Sequence, residues 1–216
     1  ERFKALEPML DSQDLKELPV LSQTKWGEQM FRPDFEGTGG IDFSECVELG
    51  DICYISYGIA PVSHEDVDPV VDGERRKLFV TEDLLSSSRD QTHPKKFVQG
   101  KDIGRFQVTR LRWLEWGTDR VPSKLRRKKF PELFEKEKCI VARRAQHGSL
   151  KAIYDSVGDF YCDATAICAV PAHKLVNVRN RTLDRSDIRP ALSRAAQNSP
   201  DYNFAYLTAL INCRWL

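Results

Sequence analysis

Short apolar runs separated by turn residues dominate the middle of this chain. Ile52 to Ile55, Leu78 to Val80, Phe106 to Val108, Leu111 to Leu114, Cys139 to Ala142, Ala152 to Tyr154, Phe160 to Cys162 and Ala166 to Val170 are too short for helices. Several are rich in β-branched and aromatic side chains, so each predicts a strand. Asp155-Ser156-Val157-Gly158-Asp159 is turn-forming and predicts a hairpin between the two runs that flank it. Glycines at 37, 39 and 40, the acidic stretch Ser63 to Glu74 and the stretch Ser86 to Arg89 predict loops.

Helical spacing is confined to the ends. Phe3, Leu6 and Leu10, interrupted by Pro8, predict one helix or two short ones over Arg2 to Leu18. At the other end Ser199-Pro200-Asp201 has the residues of a helix start, and Phe204, Leu207, Ile211 and Trp215 follow at helical spacing. The expected fold is α+β: a mixed, strand-rich domain with short helices, an N-terminal helical junction and a C-terminal helix. A start at Glu1 without Met and an end on Trp215-Leu216 with no closing turn give the chain the look of a piece of something longer.

Composition supports a folded domain. At 216 residues, 41% hydrophobic and 10% aromatic, the chain can bury a core as one large domain or one domain with an appendage. No apolar run is long enough to span a bilayer and the first residues are not a secretion signal, so a cytoplasmic location is the default expectation. The six cysteines have no C-x-x-C spacing and the four histidines are scattered, which predicts reduced, buried thiols and no metal site.

Charge changes the picture more. Residues 95–151 hold 17 Lys+Arg against 6 Asp+Glu, whereas residues 1–94 hold 9 against 20 and residues 152–216 hold 7 against 6. The net charge of +1 hides this dipole. A phosphate backbone feels a local field that decays over about 10 Å at 0.1 M salt, so a basic patch can bind a polyanion that the whole chain would not. Large aromatics interleave with the cations: Arg110, Arg112, Trp113, Trp116 and Arg120, then Lys124, Arg126, Arg127, Lys128 and Lys129. Cations neutralise phosphates and flat rings stack on bases. The plainer reading of the Lys124 to Lys129 run is a solvated face.

Motifs for chemistry fail on context. Phe35-Glu36-Gly37-Thr38-Gly39 spells the glycine turn of S-adenosylmethionine-dependent methyltransferases, but Arg32-Pro33-Asp34 stands where a buried strand should lead into it. The partner motif, Asn or Asp before Pro-Pro and an aromatic, is absent, Asp68-Pro69-Val70-Val71 being the nearest approach. Pro33-Asp34 has no downstream D/E-x-K to make a nuclease centre, and Asp14-Leu15-Lys16 lies upstream of it. No phosphate-binding loop, G-x-S-x-G or H-E-x-x-H occurs. The expectation is a binding module without catalytic residues or a cofactor of its own.

Val47-Glu48-Leu49-Gly50-Asp51-Ile52-Cys53-Tyr54-Ile55-Ser56-Tyr57-Gly58-Ile59 resembles the opening strand and glycine turn of TaqI-like C-terminal specificity domains, the target-recognition domains of adenine-specific DNA methyltransferases and fused restriction–modification enzymes. Further segments follow in the family's order. Gly100-Lys101-Asp102-Ile103 resembles its G-K-D-I segment, Pro131 to Phe134 and Lys138 to Arg144 the helix and strand preceding its central recognition region, Ala152 to Tyr161 the hairpin after that region, and Leu207 to Asn212 its closing leucine-rich helix. The resemblance covers about Cys46 to Leu216, and the acidic 63–74 insertion departs from it. It implies that residues 1–45 are a junction to an upstream catalytic domain, and that 46–216 recognise double-stranded DNA while that domain flips an adenine and methylates it with S-adenosylmethionine. Such a parent can also carry an endonuclease activity.

On that reading Lys101, Arg105, Arg110, Arg112, Lys124, Arg126, Arg127, Lys128 and Lys129 face phosphates, because a charge on a flexible stem positions without reading sequence. Trp113 and Trp116 are the stacking candidates. Arg143, Arg144, Gln146, His147 and Ser149 are candidates for base edges, since Arg bonds guanine bidentately and Gln bonds adenine. For Arg143 and Arg144 the alternative is an ordinary ion pair with Glu135 or Asp155. Two other functions stay open: a protein-interaction module that uses the acidic and basic halves, and a divergent nuclease or methyltransferase.

Overall fold

The computed structural model describes residues 47–60, 81–144 and 150–213. These fall in the compact unit Val47–Leu216. The expected N-terminal helices, the glycines at 37–40, the 63–74 insertion, the Leu78 to Val80 strand and Trp215 lie outside the described residues.

Among the described residues eight strands form two four-stranded sheets. In chain order they are β1 (Cys53–Tyr57), β2 (Leu85–Ser86), β3 (Lys95–Val98), β4 (Arg112–Leu114), β5 (Lys138–Ala142), β6 (Ala152–Asp155), β7 (Phe160–Cys162) and β8 (Ala166–Pro171). The first sheet runs β1-β8-β5-β6 and is antiparallel throughout. The second runs β2-β4-β3-β7, antiparallel except for the parallel pair β3 and β7. Helices α1 (Ala172–Leu175), α2 (Arg189–Asn198) and α3 (Phe204–Asn212) close the chain, so the described fold is α+β and strand-rich with a C-terminal helix. No helix among the described residues is long and apolar enough to cross a membrane.

Strand periodicity explains the layering. All five residues of β5 are buried, and alternate side chains go to opposite faces. Ile140 and Ala142 join Ile153, Cys168 and Val170 in the main core, which also holds Phe97, Leu114 and Tyr161 of the second sheet. Cys139 and Val141 join Cys53, Ala152, Ala169 and Phe204 of α3 in a smaller core. The first sheet is thus sandwiched, which is why its central strands read as unbroken apolar runs. Four cysteines are buried and free, and burial pushes the Cys53 thiol up to about 12 and that of Cys139 to about 11.

Three local expectations are corrected. Asp155 to Asp159 does not close a hairpin: β6 ends in the first sheet and β7 starts in the second, beside β3. The Asp155 carboxylate makes the corner, accepting from the amides of Gly158 and Asp159, each at 3.0 Å, and of Phe160 at 2.9 Å, while the buried Lys138 ammonium neutralises it. Gly158 takes φ +75°, and a Cβ there would lie 2.4 Å from the Glu135 carbonyl carbon.

Phe106 to Val108 is a bend rather than a strand, with a single bridge between Ile103 and Val108, because Phe106 adopts φ +62°. The C-terminal helix starts later than Ser199. Residues Ser199–Asp201 form a separate 3-10 turn, and Asn203 caps α3 by accepting from the Tyr206 amide at 3.0 Å.

Candidate functional site

The first sheet ends where its two central strands give out, and that end carries the site. Beyond Ala142 the Arg143 amide still donates to the Thr165 carbonyl at 3.0 Å, which fixes the backbone from which Arg143 and Arg144 emerge into solvent. The 3-10 turn Gly100–Asp102 packs against the same threonine. The Gly100 amide donates to Thr165 Oγ1 at 2.7 Å, and a Cβ on residue 100 would sit 2.3 Å from the Thr165 carbonyl oxygen, so only glycine allows the approach. Lys101 is thereby placed opposite the two arginines.

Between them lies a cleft of about 550 Å³, with Lys101, Arg143 and Arg144 on its walls and Asp163 and Thr165 also lining it. The Asp163 carboxylate accepts from the Thr165 amide at 2.9 Å and from its hydroxyl. Burial holds the Asp163 carboxyl above the usual carboxylate range, against the lowering effect of its Thr165 and Gln99 hydrogen bonds. The Arg143 guanidinium lies 4.8 Å from the centroid of the Tyr57 ring, which is 44% exposed at the end of β1. The site therefore offers three cations, one carboxylate and a guanidinium over an aromatic ring.

The ion pairs expected as the alternative for these arginines do not form. Glu135 accepts from Lys95 Nζ and from the Tyr161 hydroxyl, both at 2.7 Å, and Asp155 is taken by Lys138. Arg143 and Arg144 stand outside every ion pair between described residues. Gln146, His147 and Ser149 lie outside the described residues.

Of the cations expected at phosphates, Lys101, Arg105, Arg110, Lys124, Arg126, Arg127 and Lys128 are exposed. Arg105 also donates to the Asn212 carbonyl at 2.7 Å. The Lys124–Lys128 segment is anchored by buried Val121 and Leu125 and by a bridge from Arg127 to Ala60, just past the end of β1.

Two assignments are corrected. Arg112 is 7% exposed and its guanidinium is taken up by Asp102 and Gln99, so it is an interior ion-pair partner rather than a surface cation. Trp116 packs on the core with its ring 4.8 Å from that of Tyr161, so its nearest stacking partner is internal. Lys129 is half-buried, donates to Ser56 Oγ at 2.9 Å, and has its pKa lowered by burial. Trp113 is partly exposed and lines a second cleft of about 260 Å³, with the Arg89 guanidinium 5.6 Å from its ring.

Tyr57, Asp163 and Thr165 carry no assigned role in the sequence reading. Asp163-Ala164-Thr165 does hold a signal, the Asp-x-Thr spacing of a side-chain-capped turn. No group of His, Cys, Asp and Glu among the described residues is arranged to hold a metal ion. No family model and no curated protein matches the chain.

Proposed function

We propose that Val47–Leu216 is a double-stranded DNA recognition module, the specificity domain of an adenine-specific DNA methyltransferase or fused restriction–modification enzyme. The observation that carries this reading is the convergence of Lys101 and Arg143–Arg144 on one cleft. They come from two segments far apart in the chain. Exposed Lys101, Arg110, Lys124, Arg127 and Lys128 supply charges for phosphates, and Arg143 and Arg144 supply planar donors for base edges. Methyl transfer from S-adenosylmethionine then belongs to an upstream domain of the same protein, and this part provides the address.

The test is binding of the full chain to mixed-sequence duplex DNA by fluorescence anisotropy over a series of salt concentrations. Neutralising four to six phosphates gives a slope of log K against log salt of roughly −4 to −5. Replacing Arg127 and Lys128 with Ala should make that slope shallower by about two. Affinity indifferent to salt, or unchanged by that double substitution, would overturn the reading.

A further inference from the structure

The loop between the Gly100–Asp102 turn and β4 carries a feature that charge attraction does not use. Phe106 holds φ at +62°, a left-handed conformation that bulky residues avoid, and the residue is 57% exposed. Folding gains little from either property: the ring buries little apolar area and the backbone costs free energy. Such an outlier persists only where its surroundings over-determine it, and it is a pointer to function.

The surroundings do over-determine it. The Phe106 amide donates to the Ala152 carbonyl at 3.1 Å, the Gly104 amide to the Gln107 carbonyl at 2.8 Å, and the Thr109 amide and hydroxyl to the Asp102 carbonyl at 2.8 and 2.9 Å. Arg105 reaches the end of α3 through the Asn212 carbonyl. Ala152 is paired with Val141 in the β5–β6 ladder, so Phe106 docks at the end of the sheet from which Arg143 and Arg144 emerge. The result is an aromatic ring on a tethered loop, displayed to solvent, between the exposed cations Arg105 and Arg110 and next in the chain to the Lys101 turn.

We propose that Phe106 is a wedge that enters a base step of duplex DNA bound at the cleft, an inference that rests on the DNA-recognition reading above. A flat apolar ring can replace the stacking lost when two base pairs separate, and a tethered ring enters without first losing conformational freedom. The flanking arginines hold the strands by their phosphates while the step opens.

Opening a step lengthens the helix locally and unwinds it, so the experiment measures unwinding. Closed-circular plasmid is relaxed by topoisomerase I in the presence of the full chain and then deproteinised. The wild type should leave it negatively supercoiled. Phe106→Asn removes the ring while tolerating the left-handed backbone, and Phe106→Gly does so with no strain at all. Both should bind duplex about tenfold more weakly and, at matched occupancy, leave the plasmid relaxed. Phe106→Trp should keep the shift, and Lys101→Ala should keep it at matched occupancy despite weaker binding.

Supercoiling retained by Phe106→Asn or Phe106→Gly would overturn the wedge. Wild-type binding without supercoiling would overturn the wedge alone. Failure of the wild type to bind duplex would overturn the DNA reading and the wedge together.

Discussion

The guanidinium of Arg112 and the carboxylate of Asp102 form a buried ion pair that ties β4 to the turn presenting Lys101. Asp102 is doubly committed, since its carboxylate also accepts from the Gln99 amide at 2.9 Å and closes a capping box on that turn. The pair thus holds the floor of the candidate site without facing solvent. Arg112→Met should cost about 3 to 5 kcal/mol of stability, because it leaves a carboxylate buried without its counter-ion. Chemical denaturation checks it, and a loss under about 1 kcal/mol would show that water reaches Asp102.

A second buried pair governs the crossing between sheets. Lys138 and Asp155 face each other across β5 and β6 with side chains 0% and 1% exposed, and the same carboxylate caps the corner into β7. Asp155→Asn should destabilise by about 3 kcal/mol, since it leaves the buried ammonium without a counter-ion. The double variant Lys138→Met/Asp155→Asn should lose less than the two single losses combined, as residues in contact are not additive. Additive losses in a denaturation cycle would mean that the two groups act separately.

Specificity should divide the cations. If Arg143 or Arg144 meets a base edge, replacing it with Ala should cost about 1 to 3 kcal/mol on sites selected from a random duplex pool and little on unselected DNA. Lys124→Ala should weaken both alike, since a phosphate is the same beside every base. Selection and sequencing of bound duplexes checks it: one position should relax for an arginine variant and none for the lysine variant. Full stringency in both arginine variants would place the reading contacts elsewhere, with residues 113–120 next in line.

Asp163 should make stability fall as pH rises. Burial raises its pKa, so ionising it opposes folding: the associated stability is fully present below the unfolded carboxylate value of about 3.9 and is lost as pH rises through the elevated folded-state value. Asp163→Asn keeps an oxygen for the Thr165 amide and hydroxyl and removes that loss. Melting curves should show the variant gaining on the wild type as pH rises from 4 towards neutrality. Removing a negative charge from the cleft should also tighten duplex binding at neutral pH, severalfold at low salt. Equal affinities for the two proteins would remove Asp163 from the binding surface.

Legibility in the sequence followed the range of the forces involved. The runs at Ile52 to Ile55, Leu111 to Leu114, Cys139 to Ala142, Ala152 to Tyr154, Phe160 to Cys162 and Ala166 to Val170 all overlap strands, the first two starting one residue early. Apolar runs with turn residues between them are local signals that a single segment carries by itself. The short strands Lys95–Val98 and Leu85–Ser86 were missed, because Lys95-Lys96 and Ser86-Ser87-Ser88 look polar until a neighbouring strand supplies their partners.

What the sequence alone determined is the α+β, strand-rich class and the location of a basic segment rich in arginine, lysine and tryptophan. Tertiary structure alone decided which of those cations face solvent. Arg112 and Arg110 are two residues apart in one basic stretch, yet one is sealed against Asp102 and the other is exposed, because Arg112 opens β4 beside the buried Asp102 whereas Arg110 lies in the bend before the strand. It also decided that the Asp155 turn joins two sheets, since turn residues specify a reversal and not the strand that receives it. The meeting of Lys101 with Arg143 and Arg144 depends likewise on Thr165, a residue whose contacts are set only by packing between segments distant in the chain.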